Sequence, residues 1–172
     1  LGIMPRLTLS STTRVQMILV SVNFNSMNDY NSYFDANNAP SRGINSSQYL
    51  LNYTLSLPQE KLSFNSSLNY TNLKSTGNRN SYKGVSAGAT YILANNKLHA
   101  GTNLSYMQGN SNGNRSDIFN GSLNLSYTIS KLHSIRAMVY FTNNNPGSAV
   151  TGGNPSFSET RGEIAYQLNF GL

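Results

Sequence analysis

The sequence predicts an all-β protein: an antiparallel meander of about 8–9 strands with one greasy face and one polar face. Three observations lead there. Apolar residues recur at every second position in segment after segment, which is the period of a strand. Hydrophobic residues make up 38% of the 172 positions and charged residues only 10%, against roughly 25% charged in soluble domains. The chain therefore lacks both a thick core and a charged surface. Finally, the links around Lys61, Lys97 and Lys131 are short, while those on the other side are long and rich in Asn, Gly and Ser. A single transmembrane region over 1–172, with lipid on one face and Ser, Asn and Thr on the other, satisfies all three.

Leu1 to Ser10 (LGIMPRLTLS) alternates weakly and reads as part of a ninth strand; Thr12-Thr13-Arg14 is a turn. Val15 to Asn25 is apolar on both faces and fits a strand, the alternative being a short buried helix. Asn28 to Ser46 follows as a long polar loop bearing Tyr30, Tyr33 and Phe34, the loop residues best suited to contact a ligand. Tyr49, Leu51, Tyr53, Leu55 and Leu57 then alternate with polar neighbours, and after Pro58–Lys61 so do Leu62, Phe64, Leu68 and Tyr70. Placing Leu57 opposite Leu62 also brings Leu55 to Phe64, Leu51 to Leu68 and Tyr49 to Tyr70. That agreement along a whole hairpin fixes its register.

Ser75 to Ser81 reads as a polar loop. Val85 to Leu93 alternates, and after Ala94–Lys97 the segment Leu98 to Met107 does the same. A Gly/Asn/Ser loop spans Gly109 to Ser116, followed by alternation from Phe119 to Ile129 and from Ile135 to Phe141. The loop Asn143 to Ser156 precedes the final strand, Arg161 to Leu172.

These strands are about 9–12 residues long, close to the roughly 9–11 that cross a bilayer at a tilt. On the greasy face Tyr49, Tyr70, Tyr106, Phe119 and Phe141 gather toward the long-loop ends, and Phe64, Tyr91, Tyr127 and Phe170 toward the short turns. Two aromatic girdles suit a wall anchored at both interfaces. A β-sandwich with these aromatics as its core is the alternative.

Other chemistry is thinly represented. There is no Cys, and neither His99 nor His133 has a second ligand at metal spacing, so no metal, cofactor or thiol site is expected. No Gly-x-Ser-x-Gly occurs, and no catalytic residue is assigned. The net charge of +6 is scattered rather than gathered into a basic run with stacking aromatics, which argues against nucleic acid. Eight Asn-x-Ser/Thr triplets arise by chance in so Asn- and Ser-rich a chain. Arg136 and Glu163 stand out, both expected on the inward face of the last hairpin. They suit a lumen selectivity element or an ion pair that neutralises buried charge.

The last strand alternates Ile164, Tyr166, Leu168, Phe170 and Leu172 with Glu163, Ala165, Gln167, Asn169 and Gly171. It resembles the C-terminal insertion signal of bacterial outer-membrane β-barrel proteins, with Leu172 where that family usually has Phe. The Asn/Ser/Thr-rich strands and Asn/Gly loops are similar in composition and rhythm to the C-terminal barrel regions of large Bacteroidota outer-membrane proteins. The resemblance implies a bacterial outer-membrane location. It also implies a role in passage, secretion or assembly, contact with lipid and lipopolysaccharide, and recognition by the barrel-assembly machinery. Apolar strand-like residues at Leu1, and an inward face too small to fill a narrow barrel, favour the C-terminal part of a larger barrel. Its remaining strands, or other subunits of a membrane complex, are then further partners. A closed eight-stranded structural or adhesive barrel and a secreted Asn-rich adhesin module are the alternatives.

Overall fold

The computed structural model describes residues 1–29, 42–75, 77–130, 132–147 and 156–168. Period-two alternation becomes one antiparallel sheet built from β1 (Gly2–Ile3), β2 (Arg6–Ser10), β3 (Val15–Asp29), β4 (Arg42–Leu57), β5 (Leu62–Ser75), β6 (Asn78–Leu93), β7 (Leu98–Ser111), β8 (Asn114–Thr128), β9 (His133–Pro146) and β10 (Phe157–Leu168). β1 and β2 pair with β3 in one register, broken at Met4-Pro5, where proline has no N–H to give. The ten segments therefore make nine passes, the first being Leu1 to Ser10. Val15 to Asn25 is strand, not helix.

From β3 to β10 each strand pairs with the next. The β4–β5 register is the one the alternation dictates, with Leu57 opposite Leu62, Leu55 opposite Phe64, Leu51 opposite Leu68 and Tyr49 opposite Tyr70. Among the described residues β10 pairs only with β9, and β1 and β2 pair only with β3, so the sheet has two edges and is not closed.

The sandwich alternative fails on packing. All strands lie in one sheet, and among the described residues no apolar side chain is buried. Leu51, Leu68, Leu104 and Leu125 share one face and are 40%, 52%, 51% and 38% exposed. In water each such half-exposed side chain forgoes about half of the roughly 1.5–3 kcal/mol that full burial would give. A lipid surrounding would remove that deficit without a second layer.

The strands are longer than the alternation suggests. β3 to β9 run to between 14 and 16 residues because the Asn/Ser/Gly segments read as loops pair with one another. Ser75 faces Asn78 and Ser111 faces Asn114, so the loops expected at 75–81 and 109–116 are tight hairpins. At the second, Asn112 (φ 50°) and Gly113 (φ 88°) form the primed turn that matches strand twist. The expected loop 28–46 is likewise shortened by β3 and β4, and 143–156 by β9. At the opposite end all four connections are four residues long.

The aromatic residues show how the strands lean. Phe24 packs on Tyr49 at 5.9 Å, Tyr49 on Tyr70 at 6.0 Å, and Phe119 on Phe141 at 6.0 Å between ring centroids. Phe24 pairs with Ser47, Tyr49 with Tyr70, Tyr106 with Phe119, and Phe141 with Gly121. Each of these pairs lies two residues further along the strands than the one before, so the line slips by about one residue per strand. With ~3.3 Å rise per residue and ~4.8 Å between strands, a level girdle then requires a tilt of about 35°, at the edge of the range for membrane barrels. On β8, Phe119 and Tyr127 are about 26 Å apart along the strand, or about 22 Å in height at that tilt, near the ~25 Å apolar band of such walls.

Candidate functional site

The polar face is a consequence of the same register. Asn52, Ser67, Ser86, Ser105, Asn120, Thr142 and Glu159 are successive partners from β4 to β10. The Ser67 and Ser86 hydroxyls lie 2.7 Å apart, and Thr142 Oγ1 donates to Asn120 Oδ1 at 3.0 Å. Glycines keep this face flush. A Cβ at Gly88 would meet Asn65 Oδ1 at 2.6 Å and the Thr102 carbonyl oxygen at 2.9 Å, and one at Gly101 would meet Asn124 Oδ1 at 2.6 Å. Gly84 sits under Asn69 in the same way. The asparagine amides lie across the space a side chain would occupy.

β5 to β8 carry no Asp, Glu, Lys or Arg on this face; outside them it carries Arg6 on β2, opposite Leu19, and a cluster of charges on the last hairpin. Glu159, Arg161 and Glu163 alternate in sign along β10, opposite Thr142, Tyr140 and Met138. With Tyr140 and Thr142 they line a shallow hollow of about 460 Å³. Arg136, opposite Ala165, shares the face and lies one diagonal step from Glu163. No ion pair joins them. Among the described residues the ion pair present is Arg115–Asp117, on the other face. Arg161 lies at the start of the strand expected from Arg161 to Leu172, whereas Glu159 lies before it, in the part of β10 that the apolar alternation does not mark. Extending the alternation of Glu163 by four residues toward the N-terminus finds both.

On the outward face, beyond the aromatic line, Asp117 is tightly held. Tyr106 donates to its Oδ1 at 2.7 Å, Gln108 Nε2 to Oδ1 at 2.9 Å, and Arg115 Nε to Oδ2 at 3.0 Å. At the opposite end of the wall Tyr166 stacks on His133, and its hydroxyl hydrogen-bonds to His133 Nδ1. Ile164, Tyr166 and Leu168 of the terminal alternation face outward, opposite Ala137, Ile135 and His133. Phe170 and Leu172 lie outside the described residues, as do Tyr30, Tyr33 and Phe34. Among the described residues no group of three His, Cys, Asp or Glu is placed to hold a metal ion.

No family model matches this chain, and no curated protein matches it. Among solved structures it is similar to OmpT, folded in vitro, an outer membrane protein of Vibrio cholerae. The TM-score is 0.62 at 10% identity, covering 96% of this chain and 54% of that one. A variant of that protein lacking loop L8 gives the same TM-score and identity, with 52% of its chain covered. The chain thus spans about half the length of the solved structures it matches. At this identity the likeness is one of fold: an all-β antiparallel meander of the kind found in outer-membrane β-barrels.

Proposed function

We propose that the chain forms part of the wall of an outer-membrane β-barrel, the C-terminal part of a larger barrel of the Bacteroidota type, serving passage, secretion or assembly across the outer membrane and performing no catalysis itself. One observation carries this reading: a single-layer sheet with no buried apolar core among the described residues, whose large apolar side chains cluster on one exposed face. Open strand edges are not tolerated in lipid. The sides of β10 and of β1 and β2 that pair with no described strand are therefore covered by further strands of the same polypeptide or by other subunits of a membrane complex. Lipid and lipopolysaccharide contact the outward face, and the barrel-assembly machinery reads the terminal alternation through Ile164, Tyr166 and Leu168. The polar face lines the passage, with Glu159, Arg161, Glu163 and Arg136 as its charged sector.

Spin labels placed singly at Leu51, Leu68, Leu104, Leu125 and Leu168 test the membrane assignment. Acyl-chain environments at all five support it, and aqueous or protein-packed environments at most of them end it. Planar-bilayer conductance of the intact polypeptide separates an open passage from a wall that only presents loops.

A further inference from the structure

We propose that the outward face of β5 and β6, beyond the aromatic line, binds the phosphates of a bisphosphorylated, multiply acylated glycolipid of the outer leaflet; this rests on the membrane reading above. Lys74 and Arg79 are direct cross-strand partners on that face. Like charges opposite one another destabilise a sheet unless an anion lies between them. Lys83 stands four residues along β6 from Arg79, about 13 Å away, between Tyr70 and Gln108. All three cations are exposed.

No acid of this chain answers them. Among the described residues the outward face of β4 to β7 carries no carboxylate, and Asp117 on β8 is already taken by Arg115, Tyr106 and Gln108. The cations sit just past the rings of Tyr49, Tyr70 and Tyr106, where headgroups meet acyl chains. A hollow of about 570 Å³ runs from Phe24 past Ser47 and Asn72 to Lys74, apolar at one end and cationic at the other. That order matches a lipid lying with its chains toward the girdle and its phosphate toward the ammonium. Two cationic points about 13 Å apart along β6 suit a headgroup with a phosphate at each end. The two longest connections, between Asp29 and Arg42 and between Pro146 and Phe157, emerge at this end of the wall, as outside loops do in such barrels.

The test uses the full polypeptide in detergent micelles doped with bisphosphorylated hexa-acyl lipid A, its dephosphorylated form, or phosphatidylglycerol, with retention read by native mass spectrometry. The variant Lys74→Gln/Arg79→Gln/Lys83→Gln is expected to bind the bisphosphorylated lipid on the order of a hundredfold more weakly, from about fivefold per cation at a membrane surface. The control Arg14→Gln/Lys61→Gln/Lys97→Gln removes the same charge at the opposite end and is expected to bind as the parent does. Equal losses in the two variants overturn the proposal, as does equally tight binding of either comparison lipid. Heat-modifiable gel mobility is followed in parallel. A polypeptide that never inserts into bilayers defeats the membrane reading and this proposal together, whereas insertion with phosphate-independent binding defeats this proposal alone.

Discussion

The strands β5 to β8 and the hairpin β9–β10 obey the same alternation yet build different surfaces. In the first group the polar face is made of Ser, Asn, Thr and Gly, with asparagines lying flat over Gly84, Gly88 and Gly101. In the second the same rows end in Tyr140, Met138, Arg136, Arg161 and two glutamates. Gly162 lies on the other face of the last strand, opposite Val139, and a Cβ there meets nothing within 4 Å. Binary pattern thus decides which way a residue faces, whereas side-chain size and charge decide whether the wall is smooth and neutral or open and polarised.

The largest expected effect tests the faces themselves. Leu68→Lys should cost ~2–4 kcal/mol near the bilayer midplane, while Ser67→Lys on the neighbouring polar position should cost under ~1 kcal/mol. Guanidinium unfolding in lipid vesicles measures both, and equal costs would erase the distinction between the faces. Next in size, Gly88→Ala should destabilise by ~1–3 kcal/mol, because a backbone carbonyl blocks the new methyl group. Gly162→Ala should stay within ~0.5 kcal/mol. A tolerant Gly88 would mean that the central wall is not closely packed.

Gly113→Ala, at a φ of 88°, should cost about 1 kcal/mol through backbone strain alone. The loss should appear as faster exchange of the β7–β8 amides nearest the turn. The smallest effects concern the charged hairpin. Arg161→Gln should shift the permeability ratio of the intact protein toward cations by a few-fold, and Glu163→Gln toward anions. Both shifts should shrink as salt rises from about 0.1 M to 1 M and the Debye length falls. Identical behaviour of the two variants in planar bilayers would remove this sector from the lumen.

Most of the fold was legible because period two is a strong local signal. The hairpin Tyr49–Tyr70, the shared face of Ile164, Tyr166 and Leu168, and the aromatic line through Tyr49, Tyr70, Tyr106, Phe119 and Phe141 could be read directly. The strand ends were not, because they lack apolar residues: Asn72, Lys74, Arg79 and Ser81 continue the ladder without any hydrophobic alternation to reveal it. Asn112-Gly113 was the local cue to the tight turn, since both of its residues tolerate positive φ. At the candidate site, Arg136 and Glu163 share the polar face of the last hairpin. Their separation by a diagonal rather than a direct pairing depends on the β9–β10 register, which alternation alone leaves free by steps of two.

The slope of the ring line also constrains any strand that would dock on the side of β10 facing away from β9. A newcomer, from whichever polypeptide, must offset its own interfacial aromatic by about one residue relative to its neighbour. Docked level instead, it would drag an amide or a hydroxyl into hydrocarbon. The stagger therefore acts as a key that admits a partner by where its polarity changes along the strand, before any individual side chain is compared.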